Sequence, residues 1–431
     1  MCYRGVEMEE VNLRALINAG TIKPGGQVIN VPITKINGDG GKYDGQTYKI
    51  PLEYLYYNEQ NGRIGSELSK YEAQYGQVTP GHNEEYNSAI QQMIVEGSTA
   101  AEKAIEDLKR DIGRKGQDIA GYVLNDGRVI DGNRRFTALR MLDQDEMVVE
   151  PQFFEAVLLD DLDLANEHDQ ALIKQLELTI QFGQLEKEDY DPIDRAIDAY
   201  KTVKIRKLMT TKQYAEYANV KNSEIDKRIC EAELIVEFLK FINADEANYS
   251  IAKEMSLDGP LQDMVLVYRK EIKDSPEKAE VLGAIFSKLL QLRVSGGDFK
   301  WDFRQLVKGV IGSREQDDFV EAMQNNSDTI EETLGEAPVS TATEVVTRLK
   351  STSEAVKALA ETKEVVEEYT QKAANQGEKD KPLKLVGQAK AKVEAIDDNV
   401  LGSLDTENKE KLASQVEDLQ SDLAELLELI Q

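Results

Sequence analysis

DGRVIDGNRRFTALRML, Asp126 to Leu142, sets a glycine and two consecutive arginines between an apolar β-branched triplet and a run with helical spacing. Just upstream, YVL (Tyr122–Leu124) and RVI (Arg128–Ile130) flank Asn-Asp-Gly, residues that tolerate positive φ, so the segment predicts a tight hairpin. Downstream, a helix starting near Arg134 would bury Ala138, Leu139 and Leu142. A strand that feeds a helix through glycine leaves backbone N–H groups at the positive end of the helix dipole, and Gly132 lets an anion approach that backbone closely. Two guanidinium groups at the same junction add bidentate donors suited to phosphate oxygens. The other reading of Arg134 and Arg135 is a solvated or ion-paired surface feature.

Working outward, Thr21 to Leu55 reads as strand and turn, QVINVPI and TYKIPLEYLYY around the turn-rich NGDGGKYDGQ. Residues 65–97 read as an irregular or loosely helical insertion. A helix then starts with Thr99 as cap and Glu102 three residues on, carries Ala101, Ile105, Leu108 and Ile112 on one face, and stops at Gly113. Beyond Pro151 a last strand, FFEAVLL, precedes a nearly all-helical remainder. The expected fold class is therefore α+β. It divides into a small mixed-sheet domain over residues 1–164, a helical domain over 165–326, a linker around Gly335–Ser340, and a C-terminal helical bundle or coiled coil over 341–431. That tail suggests three helices, with the polar QKAANQGEKDKP separating two of them. Its last helix holds Leu412, Val416, Leu419, Leu423, Leu426 and Ile430 at alternating spacings of four and three, a heptad seam that closes either within one chain or between two.

Charge and composition exclude several classes. A net charge of −28 repels polyanions, so any nucleic-acid contact needs a local basic island. With no apolar run of about 18 residues and no apolar leader near the start, the sequence predicts neither a membrane span nor a secretion signal, and a cytoplasmic setting. Only Cys2 and Cys230, His82 and His168 occur, which leaves a disulfide framework, a thiolate or histidine zinc site and a histidine triad without residues.

The basic island exists. Residues 201–230 hold eight Lys/Arg against three acids, whereas residues 331–431 hold twelve against twenty-two. Within it, LMTTKQYAEYANVKNSEIDKRICEAELIVEFL, over about 208–239, has the layout of a helix-turn-helix. Thr210 with Gln213 makes a capping box, Tyr214, Ala215 and Ala218 face inward, Asn219 and Val220 make the turn, and Asn222 or Ser223 caps a second helix with Ile225 and Ile229 inside. Lys212, Lys221, Asn222, Ser223, Lys227 and Arg228 are then the candidate DNA contacts, Glu224 and Asp226 opposing them. The alternative is a helical hairpin with incidental lysines.

DGxxIDGNRRxxAL resembles the arginine motif of the ParB/sulfiredoxin superfamily, whose ParB branch has Gly-Glu-Arg-Arg. YKIPLEYLYYNEQNGRI resembles its opening strand and Asn-x-Arg segment, with Asn61 and Arg63 at the matching positions, and AIEDLKRDIGRKGQDI its helix and glycine turn, with Gln117 near the family glutamine. LELTIQFGQLEKEDYDPIDRAIDAY looks like the segment bearing Glu-Asn-x-x-Arg and an acidic-Pro-Ile helix start, Glu177 and Gln181 standing in, followed by Asp191, Pro192, Ile193 and Asp194. The likeness spans roughly residues 45–240 and places a helix-turn-helix where the basic island lies. It implies that Gly132, Asn133, Arg134 and Arg135 hold the triphosphate of CTP or another nucleoside triphosphate, with Arg63, Gln117 and Gln181 lining the same site. Glu177 would sit beside a Mg2+ ion, and Glu177 and Asn133 occupy the catalytic positions. For Glu177 the alternative is a solvated acid on a helix face. Asn133 replaces the family glutamate, the turn after Gln117 lacks the family proline, and residues 65–97 have no counterpart. The resemblance implies a DNA-binding, dimeric protein of chromosome-partition, plasmid or mobile-element type, switched by nucleotide, with CTPase or NTPase activity open. The rivals are a phosphotransferase or nuclease on the same fold, and a regulatory adaptor that recruits a protein partner through the acidic C-terminal helices.

Overall fold

The structure is a computed structural model and describes residues 11–32, 43–96, 99–183, 191–295 and 299–430. The fold is α+β, a six-stranded mixed sheet followed by helices. Strands β1 (Lys23–Val31), β2 (Tyr43–Pro51), β3 (Tyr56–Tyr57), β4 (Gly121–Leu124), β5 (Arg128–Asp131) and β6 (Phe153–Leu159) lie in the order β1-β2-β6-β4-β5-β3. The pairings β6–β4 and β5–β3 are parallel and the other three antiparallel. The turn expected over NGDGGKYDGQ falls largely outside the described residues.

Strand alternation sorts the core into two layers. On β6, Phe154, Ala156 and Leu158 enter one cluster while Val157 and Leu159 enter the other; on β4 and β5, Val123 and Val129 oppose Tyr122, Leu124 and Ile130. Helices α1 (Leu13–Asn18), α2 (Gly65–Tyr75), α3 (Glu84–Glu96), α4 (Thr99–Lys115) and α5 (Asn133–Asp143) supply the first layer. Helix α6 (Glu167–Gly183) supplies the second through Ile173 and Leu176. Three rings stack through the first layer, Tyr57 to Phe136 at 4.7 Å between centroids and Phe136 to Phe154 at 5.9 Å.

Several local expectations need correction. The insertion read as irregular or loosely helical is helical over 65–75 and 84–96 and packed: α2 and α3 bury Leu68, Tyr86, Ile90 and Met93, Asn87 caps the β3 backbone by accepting from Tyr57 N at 3.2 Å, and Ser66 N donates to Asp194 at 3.0 Å. Helix α4 runs past Gly113 to Lys115 and is closed by Gly116 at φ +82°, because Gly113 keeps helical backbone and a left-handed residue is what ends the helix.

The helices continue with α7 (Pro192–Tyr200), α8 (Thr211–Tyr217), α9 (Asn222–Phe241), α10 (Ser250–Glu254), α11 (Asp258–Val267), α12 (Lys278–Ser295), α13 (Phe299–Gln305), α14 (Gln316–Gly335) and α15 (Ala342–Ser351). Asp191 starts α7 by accepting from Ile193 N and Asp194 N, with proline at the first helical position. The stretch at Gly335–Ser340, read as a linker, is stitched down: Val339 N donates to Asn243 O at 3.1 Å, Asn248 Nδ2 to Ser340 O at 2.9 Å, and Arg348 to Leu334 O at 2.8 Å. Among the described residues no helix is long and apolar enough to cross a membrane.

The chain divides into two compact units, Met1–Glu367 and Glu368–Gln431. Helix α16 (Ser353–Glu394) continues through QKAANQGEKDKP instead of breaking there, carrying Pro382 inside it; its polar side chains sit on exposed helix, where i,i+4 pairs such as Lys372–Glu368 support them. Helices α17 (Asp398–Ser403) and α18 (Thr406–Ile430) follow. No residue of α18 is buried: Val416, Leu423, Leu426 and Ile430 are exposed, and Leu412 and Leu419 are half-buried.

Candidate functional site

The junction at Gly132 is built by ring packing. Gly132 has φ +96°, and a Cβ there would stand 2.8 Å from Phe154 Cζ and 3.0 Å from the Arg135 guanidinium. Gly121 on β4 lies under the same ring, its hypothetical Cβ 2.3 Å from Phe154 Cζ. The sheet thus presses a phenylalanine into a hollow that only two glycines can provide. Gly132 offers α5 no side-chain cap, so the first turn, with Asn133, Arg134 and Arg135, opens onto a cavity of about 620 Å³.

Four segments distant in sequence wall this cavity: the single turn Gly62–Ile64, the C-terminal half of α4 with the loop after it, the β5–α5 junction, and α6. It brings together Arg63, Gln117, Gly132, Asn133, Arg134, Arg135 and Gln181, the residues singled out for a nucleotide, with Glu177, singled out for a metal. Asn61 holds the Arg63 turn, its Oδ1 accepting from Arg63 N at 3.1 Å. Glu177 and Gln181 are one turn apart on α6 and face the same space.

Their chemical states differ. The Gln117 side chain accepts from Glu155 N at 2.9 Å and donates to Glu155 O at 2.8 Å and Ile119 O at 2.9 Å, so both of its amide N–H donors are spent in pinning β6. It positions the wall and has no N–H left for a ligand. Arg135 donates to Asp131 at 2.8 Å, while its buried Nε meets no partner. Asn133 is 7% exposed, and its Oδ1 is buried without a hydrogen bond. An amide there can orient a ligand but cannot take up a proton, so the catalytic position it was assigned is chemically weak.

Glu177 is not a solvated acid on a helix face. Its Oε1 accepts from Asn58 Nδ2 at 3.2 Å and its Oε2 faces Lys174 Nζ at 3.3 Å. Lys174 also holds Asp198 at 2.6 Å, and Asp198 accepts from the Tyr214 hydroxyl at 2.6 Å. Burial opposes the charge on Lys174, but Asp198 and Glu177 outweigh it and keep the ammonium above the usual lysine range. Asp198 takes the closer share of that charge, and burial pushes the Glu177 carboxyl up to about 7 despite Lys174. Sequence reasoning missed Lys174 and Asn58; a lysine three residues before a glutamate on one helix was the available signal for Lys174.

A magnesium ion at Glu177 does not fit this arrangement. A divalent ion there would have to displace Lys174 Nζ, 3.3 Å from Oε2, or Asn58 Nδ2, 3.2 Å from Oε1, because both carboxylate oxygens are already engaged. Among the described residues no group of three or more His, Cys, Asp or Glu is placed to hold a metal. Four cations, Arg63, Arg134, Arg135 and Lys174, share the lining with five carboxylates, so an anion has to be placed by arrangement, not by net charge. The carboxylates of Asp107 and Asp111 pair with Arg110 and Lys115 on α4, while at the α5–α6 end Asp131 pairs with Arg135 and Glu177 with Lys174. Leu108, Ile112, Ile119 and Ile180 give the lining an apolar surface.

Helices α8 and α9, joined by a short turn, stand where the helix-turn-helix was read. Thr210 and Gln213 form both halves of a capping box at α8, and Tyr214, Ala215, Ala218, Ile225 and Ile229 pack with Leu178 and Ala199. Asn219 turns the chain at φ +51°, a left-handed position that asparagine accepts. The cap of α9 is Lys221, with no side-chain bond, and not Asn222 or Ser223, because Asn222 instead donates to Asp226 at 3.1 Å from within the first turn. Lys212, Lys221, Asn222, Ser223 and Lys227 are exposed. Arg228 is half-buried and turned inward, 3.1 Å from the buried Glu231, so it is the weakest of the candidate contacts. No protein-family model matches the chain, and no curated protein matches it.

Proposed function

We propose that the cavity binds a nucleoside triphosphate, CTP foremost, and that its occupancy switches the DNA-bound or dimeric state of a cytoplasmic ParB-like protein. The observation that carries this reading is the convergence of seven residues named for a nucleotide from motif order, and of Glu177 named for its metal, from four segments onto one cavity at the start of α5. The polyphosphate lies against the α5 N-terminal turn with Arg134 and Arg135, and base and ribose lie against Leu108, Ile112, Ile119 and Ile180. A buried polar chain, Glu177 to Lys174 to Asp198 to Tyr214, runs from the cavity to the first helix of the helix-turn-helix and supplies a physical route for the switch. DNA meets the exposed Lys212, Lys221, Asn222, Ser223 and Lys227, and the exposed seam of α18 pairs two chains. Calorimetric titration of the full chain with CTP, ATP, GTP and UTP tests the centre of the proposal. Binding of none of the four, at concentrations well above micromolar, removes it.

A second reading keeps the cavity and adds turnover, as a phosphotransferase, nuclease or nucleotide hydrolase. It draws on the Glu177 carboxyl, which titrates near neutrality inside the cavity, where a general acid or base operates best. Product formation from labelled ATP, CTP or DNA that disappears in Glu177→Gln while nucleotide binding persists would favour it.

A further inference from the structure

We infer that Lys174 is the resident cation of this cavity, so that a nucleoside triphosphate is held there without a divalent metal. The inference rests on the nucleotide reading above and goes beyond it in fixing how phosphate charge is met. Lys174 lines the α6 wall and is 7% exposed, so its ammonium is a fixed part of the site and not a mobile surface charge. Asp198 at 2.6 Å and Glu177 at 3.3 Å take two of its three N–H donors, and the third is left for a ligand oxygen. Asp198 is itself held by the Tyr214 hydroxyl at 2.6 Å, so the lysine is oriented from the side away from the ligand.

Glu177, the carboxylate that a metal would use, is engaged at both oxygens, by Asn58 Nδ2 and by Lys174. Its place beside phosphate is thus already filled by a positive charge. A lysine acts on phosphate as a point charge and does not need the octahedral ligand set that magnesium demands. Arg134 and Arg135 on the α5 side would share the same oxygens.

The test is calorimetry of the full chain with CTP, ATP, GTP and UTP, once in magnesium and once in EDTA. The tightest ligand is expected to keep its affinity within about threefold on chelation. A loss of about tenfold or more overturns the inference, since a metal would then be part of what is bound. Failure of all four to bind in either buffer would instead remove the nucleotide reading, and the inference with it. In Lys174→Met, affinity in EDTA should fall by about two orders of magnitude and be partly restored by magnesium; unchanged affinity would also overturn the inference. Because that change strands Asp198 and Glu177, Lys174→Met combined with Asp198→Asn is run beside it, with circular dichroism confirming helix content. If neither variant folds, the paired wild-type titrations decide alone.

Discussion

Two helix starts, α5 and α8, solve the same problem in opposite ways. At α8 the Thr210 hydroxyl accepts from Gln213 N and the Gln213 side chain reaches back to Thr210 N, so the first turn is satisfied by its own residues. At α5 the capping position is Gly132, which has no side chain to offer, and the turn opens onto the cavity. A self-capped start serves the fold and reports little about function. A glycine-capped start receives no side chain from its own cap, and here its first turn faces the cavity.

The sharpest way to break the contrast is Gly132→Ala. With φ at +96° and Phe154 Cζ 2.8 Å from the new Cβ, it should cost about 3 kcal/mol of stability, read by urea unfolding, whereas a cost under about 1 kcal/mol would mean that the ring yields easily. Next, Arg135→Ala should weaken the tightest nucleotide by about a hundredfold in calorimetry; affinity left intact would detach α5 from ligand binding.

The same contrast gives Thr210→Ala a different signature. It should cost about 1 kcal/mol of stability and leave nucleotide affinity alone, because the cap it removes points at no ligand. Tyr214→Phe sharpens the connection between the two regions. It should shift nucleotide affinity by about threefold through Asp198 and Lys174, and a shift confined to thermal stability would make that chain structural only.

The smallest effect is a slope with pH. Burial raises Glu177 and Glu231 to about 7 and Asp194 to about 6, above the values that glutamate and aspartate have in an unfolded chain. The folded state therefore holds more protons than the unfolded one across this window. The stability these groups contribute is fully present below about pH 4 and is lost as pH rises through 6 to 7. Unfolding midpoints measured from pH 5 to 8 should fall, and Glu231→Gln should flatten the fall; a midpoint rising across that range would contradict the assignment.

The sequence carried the site further than it carried its neighbours. Asn-Asp-Gly, the glycine before the arginine pair, and the Thr210–Gln213 spacing are local signals whose physics is complete within a few residues, and they lie where the motifs implied. Gln117 shows where locality ends: its place at the cavity was legible, but its use in pinning β6 depends on a strand 38 residues away. Lys174 was hidden for a similar reason, since Asp198 and Tyr214, which hold it, come from two later helices. For α2 and α3 only a loose helicity was legible, and their packing was not, because it depends on partners such as Asp194 far along the chain.

The seam at Gly335–Ser340 has a consequence for synthesis. Val339 pairs with the backbone at Asn243 and Ala244, and Arg348 closes on Leu334 and the carbonyl of Ala337. A nascent chain leaves the ribosome from its N-terminus, so α9 emerges roughly a hundred residues before the segment that covers its end, a delay of about 5 to 20 s at ordinary elongation rates. During that interval the α9–α10 corner lacks its cover, and a product stopped before Val339 would keep that corner open permanently.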